Sequence, residues 1–219
     1  GDMTSKRPHV AIDGLTLRAG VSGVETATYG LAEAVSRWGE CRYTLFMPAR
    51  SILESLDGPN LRTERCPVPP RGKLLRILYQ QLRLPPRAAH AGCDLIHAAT
   101  YTAPLLSRTP VVLTVFDLIA FTHPGLCRRA TVMHYRTVLP ASVRKARLVI
   151  VPSESTRTVF ATSFPQSAHK VRVVPLAVDG TFFAPPAAES AQALRSRLGL
   201  PPNVILFVGQ LEPKKNISG

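Results

Sequence analysis

The sequence predicts an α/β fold built on a Rossmann-like, mostly parallel, doubly wound sheet. Three observations predict it. Short apolar runs alternate along the chain with stretches of helical periodicity, the succession expected of βαβ units. Runs such as PVVLTVF (Pro110–Phe116) and LVIV (Leu148–Val151) are apolar at consecutive positions, as in strands covered on both faces. A glycine-bearing loop, Gly14 to Gly23, separates the first such run from the first helical stretch, at the place where open α/β sheets hold ligands.

Taken in order, HVAID (His9–Asp13) is a short buried strand. From Val24 the positions Val24, Ala27, Leu31, Ala34, Val35 and Trp38 recur at helical spacing, and Glu25 places a negative charge in that helix's first turn. YTLFM (Tyr43–Met47) and LRTERCPV are further strands. KLLRILYQQLRLPPR reads as an amphipathic helix stopped by Pro85 and Pro86, its core stripe being Leu74, Leu75, Leu78 and Leu82. DLIHA and PVVLTVF are strands, and Arg128–Ala146 is a helix expected to bend or break at Pro140. LVIV is a strand, Ser153 is placed to cap the helix running through Phe160, and VRVV (Val171–Val174) ends the series. The composition then shifts at FFAPPAAESAQ. The expected organisation is an N-terminal Rossmann-like domain over 1–184, a linker and short helix over 185–202, and over 203–219 the first strand (VILFV) and loop of a second domain.

Apolar residues make up 45% of the 219, so the chain is globular, and no apolar run approaches the ~18 residues that span a bilayer. Cys41, Cys66, Cys93 and Cys127 lack paired spacing, which fits reduced thiols in a cytoplasm better than disulfides or zinc; no metal site is expected. The many Ala, Arg and Pro residues point to a GC-rich bacterial source. With 27 basic and 14 acidic residues the formal charge is +13, a field that attracts polyanions. Between Leu61 and His90 there are seven Arg or Lys and one acid, Glu64. Only Tyr79 interrupts that segment with an aromatic ring, so nucleic acid is not the expected partner.

Three stretches carry candidate chemistry. In RAGVSGVETATYG, Gly20 and Gly23 allow close backbone approach at a helix N-terminus, which is either an anion site or a plain tight turn. The GxGxxG fingerprint of dinucleotide enzymes is absent, and the second strand runs into Pro48-Ala49-Arg50 instead of an acid, so a dehydrogenase is disfavoured. In LTVFDLIAFTHPGL, Asp117 ends a buried strand and His123 lies six residues on, either a cleft partner or an ordinary loop histidine. At the end of the chain, Lys214 and Lys215 follow an apolar run and Gly209, either a cation pair above a sheet or a solvated loop.

Together HVAIDGLTLRAGVSGVETATYGLAEAV, PVVLTVFDLIAFTHPGL, RKARLVIVPSESTRTVF and VILFVGQLEPKKN resemble the retaining glycosyltransferases of family 4, in particular bacterial mannosyltransferase-like members of GT-B architecture. The resemblance runs over nearly the whole chain. It implies two facing Rossmann-like domains, the acceptor held by the first and a nucleotide-sugar donor mostly by the second, with no cofactor beyond that donor. It implies donor-phosphate contacts from Gly20, Ser22 and Gly23, and from Lys215, which matches the family's diphosphate-holding Lys; Gln210 falls where many members place Arg. Asp117 and His123 are the implied catalytic candidates, with Tyr101, Phe116 and Ser153 in the acceptor cleft.

Two positions depart from the pattern. Phe116 stands where relatives usually carry a His, and Leu176-Ala177-Val178-Asp179 replaces a common Asn-Gly-Val-Asp. The expected function is transfer of a sugar, with retention, to a glycan, lipid-linked or natural-product acceptor, by an enzyme of which this chain is the N-terminal part and inactive alone. The alternative is a non-catalytic GT-B-like module that binds anionic lipid or a partner protein. The expected location is cytoplasmic, peripheral at the inner face of the membrane through residues 71–87.

Overall fold

The computed structural model describes residues 7–18, 22–68, 72–178, 180–185, 187–209 and 215–216. Its contacts divide the chain into two units, Gly1–Leu176 and Ala177–Gly219, so the first unit closes before the boundary expected at residue 184.

The first unit contains a seven-stranded parallel sheet with helices on its faces, a Rossmann-like domain. In chain order its elements are β1 His9–Asp13, α1 Gly23–Trp38, β2 Arg42–Pro48, β3 Leu61–Cys66, α2 Lys73–Leu82, α3 Leu84–His90, β4 Leu95–Ala98, β5 Val111–Thr114, α4 Ile119–Thr122, α5 Arg129–Lys145, β6 Leu148–Val151, α6 Glu154–Ser163 and β7 Val171–Val173. The strand order is β3-β2-β1-β4-β5-β6-β7. The order reverses at β1, so β1 and β4 flank the switch point where ligands of such sheets bind.

Consecutive residues of a strand point to opposite faces, and both faces are buried. Ala11 and Phe46 enter one core cluster with Ile96, Leu113, Val149 and Phe160. Their neighbours Ile12, Leu45 and Met47 enter the other with Leu17, Ala32 and Leu61. This is why the sequence shows continuous apolar runs instead of alternation. Asp13 registers with Phe46 on β2 and with Ala98 on β4, which brings the carboxyl ends of the central strands level.

Several expectations about the helices are corrected. Helix α2 ends at Leu82, just before Pro85 and Pro86 as expected, but the two prolines then occupy the first turn of a further helix, α3, where a missing N–H has no intrahelical partner to lose. The chain turns at Arg83, whose N–H still donates to the Tyr79 carbonyl at 2.8 Å. Helix α5 is continuous through Pro140, without the break expected there.

The stripe Leu74, Leu75, Leu78 and Leu82 is not core: these leucines are between 44% and 69% exposed, and Gln80 is the residue of α2 that is fully buried. Helix α1 likewise buries Glu25, Thr28, Ala32 and Ser36, leaving Leu31 and Trp38 outside. In α2 the buried Gln80 answers polar groups beneath it, Asp13 and Thr102, while in α1 the Thr28 hydroxyl donates to the Val24 carbonyl of its own helix.

The second unit contains α7, Ala188–Arg197, followed by a turn at Gly199 with φ of +60°. The strand expected over 204–208 is not formed. Among the described residues they have no ladder partner, and Ile205, Leu206 and Val208 are exposed. An apolar run is a strand only when neighbouring strands take its N–H and C=O groups.

Candidate functional site

Asp13 ends β1 and is buried. Its Oδ1 accepts from the Leu15 N–H at 3.1 Å, and its Oδ2 accepts from Gln80 Nε2. The same Gln80 amide donates to the Thr102 carbonyl at 2.9 Å, and the Thr102 hydroxyl donates to Gln80 Oε1 at 3.0 Å. Burial pushes the Asp13 carboxyl above the usual range, and the Gln80 and Leu15 donors and the Arg76 charge oppose that rise. A fully satisfied buried network of this kind fixes orientation. It sets which side of α2 faces inward and so why the leucines face out.

Above Asp13, at the carboxyl edge of the sheet, lies a cavity of about 460 Å³. The loop after β1 contributes Thr16 and Arg18, the start of α1 Ser22, Val24 and Glu25, and α2 Lys73 and Arg76. The segment after β4 contributes Thr100, Tyr101 and Thr102, and α5 contributes His134 and Tyr135. Burial lowers the pKa of Arg76, and Arg18 lowers it further, while Asp13 opposes. Burial and the Arg76 charge lower Lys73. Burial, then Lys73 and Arg76, lower His134, which keeps its imidazole neutral at pH 7.

Tyr101 occupies the left-handed region at φ of +49°, a conformation that is strained for an aromatic residue. Its N–H donates to the Thr114 carbonyl at the end of β5, which holds the segment in place. Its hydroxyl donates to Asp117 Oδ2 at 2.9 Å, and Asp117 Oδ1 accepts from the Ile119 N–H. Its ring lies 6.0 Å from that of Phe116 and 5.0 Å from that of Tyr135. Burial, then the Asp117 charge, pushes the Tyr101 phenol far above its ordinary value, so it remains a donor.

The structure therefore brings Tyr101, Phe116 and Asp117 together. Phe116 is half-buried against the core and Asp117 is exposed. His123 is exposed at the far end of α4, with Nδ1 3.0 Å from the Thr122 hydroxyl. The hydroxyl of Ser22 caps α1 by accepting from the Glu25 N–H, and that of Ser153 caps α6 by accepting from the Thr156 N–H. Gly23 opens α1, and a Cβ built there meets no described atom within 4 Å. Lys215 lies exposed in the second unit, and Gly20 and Gln210 lie outside the described residues. Among the described residues no group of three or more His, Cys, Asp or Glu side chains converges to hold a metal, and no helix is long and apolar enough to cross a membrane.

Sequence reasoning missed Asp13, Arg18, Lys73, Arg76, Gln80, His134 and Tyr135 as members of one site. Asp13 carried a legible signal: like Asp117, it is an acid ending a buried strand. With the leucine stripe of α2 expected in the core, the charges of residues 71–87 are expected at the surface; Lys73 and Arg76 instead line the cavity.

Residues 21–182, well over half of the chain, match the sequence pattern of Glycosyltransferase Family 4. The chain belongs to glycosyltransferase family 4. No curated protein sequence matches it. Solved structures similar to this family 4 chain include HepE of Anabaena in complex with UDP and glucose, at 19% identity and a TM-score of 0.53, covering 88% of this chain and 50% of that one. A glycosyltransferase from Rickettsia africae matches at 13% identity and 0.54, over 90% and 51%. The catalytic domain of starch synthase IV from Arabidopsis thaliana, bound to ADP and acarbose, matches at 13% and 0.56, over 92% and 61%. At these identities the likeness is one of fold, and the chain spans between half and about three fifths of those solved chains.

Proposed function

We propose that this family 4 chain is the acceptor-side part of a retaining hexosyltransferase that moves a sugar from a nucleoside-diphosphate donor to a hydroxyl of its acceptor. The observation that carries this reading is the cationic, tyrosine-walled cavity at the carboxyl edge of the sheet, beside Gly23 at the start of α1. The likeness to structures solved with UDP and with ADP supports a nucleotide-linked donor.

In this mechanism the acceptor hydroxyl attacks the face from which the nucleoside diphosphate departs. Negative charge builds on the leaving phosphate. The N–H groups at the start of α1 (Ser22, Gly23) are proposed to stabilise that charge and so lower the barrier, and Lys215 is proposed to contact the donor phosphate. Gly20 and Gln210 belong to the same proposed contact set. Asp117, oriented by Tyr101, and His123 are proposed to contact the acceptor, and Phe116 and Ser153 to line its path. Excluding water protects the donor from hydrolysis.

The proposed site of action is the inner face of a bacterial membrane. The exposed leucines of α2, with Arg83 beside them, give this helix an apolar face rimmed by charge, the pattern of a helix that lies in a bilayer interface.

Phe116 favours a second reading, a non-catalytic module, because a phenyl ring neither accepts a proton nor hydrogen-bonds a sugar hydroxyl. One experiment separates the two: the chain joined to a donor-binding half, assayed against UDP-, GDP- and dTDP-sugars. Donor-dependent glycosyl transfer supports the enzyme, and donor binding without turnover supports the module.

A further inference from the structure

Three cations from two separate segments face the 460 Å³ cavity: Arg18 from the loop after β1, and Lys73 and Arg76 from the first turn of α2. Elsewhere the arginines Arg37, Arg87 and Arg157 are each held by a glutamate. Among the described residues, the side chains of Arg18, Lys73 and Arg76 form no salt bridge. Of the two carboxylates nearby, Asp13 partly offsets the charge of Arg76 without forming an ion pair with it. Glu25, which lines the cavity, accepts from the Arg18 backbone N–H and from the Ser22 hydroxyl, and Asp13 beneath it accepts from Leu15 and Gln80. Like charges gathered in a partly desolvated cleft repel one another, and a bound anion removes that cost.

We propose that this cavity is a subsite for a phosphorylated sugar acceptor. Arg76 and Lys73 grip the phosphoryl group, with Arg18 completing the charge. The rings of Tyr101 and Tyr135 and the Thr100 hydroxyl receive the sugar. The inference rests on the proposed sugar-transfer reading and names the class of acceptor. An arginine fork suits the oxygens of a phosphoryl group, and Lys73 beside it adds a second cationic donor. Neutral His134 adds a donor or acceptor on the α5 side without adding charge. The volume lies in the range of pockets that enclose small ligands. The rival source of phosphate in the same place is the donor's diphosphate, and the test separates the two.

The test is calorimetric titration of the 219-residue chain with glucose 6-phosphate, glucose and UDP as probes, using wild type, Lys73→Ala, Arg76→Gln, and Arg108→Ala as an exposed control outside the cavity. Glucose 6-phosphate should bind, and glucose should bind at least about tenfold more weakly. Lys73→Ala and Arg76→Gln should each weaken glucose 6-phosphate about tenfold or more, as expected for a lost charged hydrogen bond, with Arg108→Ala unchanged. In parallel, the imidazole signals of His134 should titrate at a higher pH when glucose 6-phosphate is bound. Lys73 is exposed, so Lys73→Ala decides the matter even where Arg76→Gln perturbs the fold.

Equal binding of glucose and its phosphate, indifference to both cavity variants, or binding of UDP alone would each overturn the subsite. These outcomes are separable from failure of the transferase reading. Transfer to a neutral acceptor, unchanged by Lys73→Ala, leaves the transferase standing and removes the subsite. Phosphate binding lost in Lys73→Ala, without transfer from any donor, does the reverse.

Discussion

The Tyr101 hydroxyl donates to Asp117 Oδ2 at 2.9 Å, and it does so from a residue whose backbone sits at φ of +49°. A left-handed tyrosine costs on the order of 1–3 kcal/mol, and such strain persists where the surroundings impose it. Here Thr114 holds the Tyr101 N–H, and the rings of Phe116 and Tyr135 clamp its side chain. The consequence is a carboxylate pinned by a residue that lines the cleft. Tyr101→Phe keeps the ring and removes the bond. Because Asp117 is exposed, the loss should be near 1 kcal/mol, a Tm decrease of about 2–4 °C for a chain of this size. An unchanged Tm would show that the bond does not hold Asp117 in solution.

Gly23 gives a cleaner separation of fold from function. A Cβ there meets no described atom within 4 Å, so the fold has no steric need for glycine. Gly23→Ala should therefore leave the Tm unchanged or raise it, since alanine is the better helix former. In a protein that carries the donor-binding half, it should weaken UDP-sugar binding by roughly tenfold, because the methyl group blocks close backbone approach. Unaltered donor affinity would remove Gly23 from the phosphate site.

His97 on β4 predicts a pH dependence of stability. Its Nε2 lies 2.8 Å from the Thr114 hydroxyl, and burial depresses its pKa from 6.5 to about 4. The unfolded chain then binds the proton more readily than the folded one. The stability contributed by neutral His97 is complete above pH 6.5 and is lost as pH falls from 6.5 towards 4, by at most ~3 kcal/mol. His9 and His134, also lowered by burial, act in the same direction, and Asp13, which is raised, acts in the opposite one. Chemical denaturation at several pH values should show a slope that His97→Gln reduces. Identical slopes would locate the dependence elsewhere.

What the sequence revealed and what it hid have a common physical origin. The central strands were legible because a doubly covered strand is apolar at every position, as in Leu148–Val151, whereas the edge strands Leu61–Cys66 and Val171–Val173 carry polar residues and were legible from their place in the βαβ succession. Ser153 was legible as a cap because its position before the helix dictates it. The inward faces of α1 and α2 were not legible. Periodicity marks the apolar stripe of Leu74, Leu75, Leu78 and Leu82, but only the tertiary partners of Gln80, namely Asp13 and Thr102, decide that the opposite face goes in. The cavity was hidden for the same reason, since Lys73 and Arg76 reach it only in that orientation. The run 204–208 has strand composition without strand partners.

The outward leucines make the membrane proposal measurable. Leu75→Ser with Leu82→Ser should leave the Tm within about 1 °C of wild type, because surface changes cost little. Co-sedimentation with vesicles containing phosphatidylglycerol should fall severalfold. Added salt should weaken the wild-type association by screening the cationic rim. Wild-type chain that stays in solution with anionic and neutral vesicles alike would exclude this face as a membrane contact.

The central claim is that this fold serves sugar transfer, and the most direct measurement is of the product. The chain joined to a donor-binding half should be incubated with UDP-, GDP- and dTDP-hexoses and with phosphorylated and plain sugar acceptors. The linkage formed would be read by NMR, in wild type and in Phe116→His. The account predicts release of nucleoside diphosphate matched by a product of retained anomeric configuration, with Phe116→His changing the turnover or the acceptor used. No product from any donor in either protein, with the nucleotide-sugar still bound, would contradict it and leave a binding module in its place.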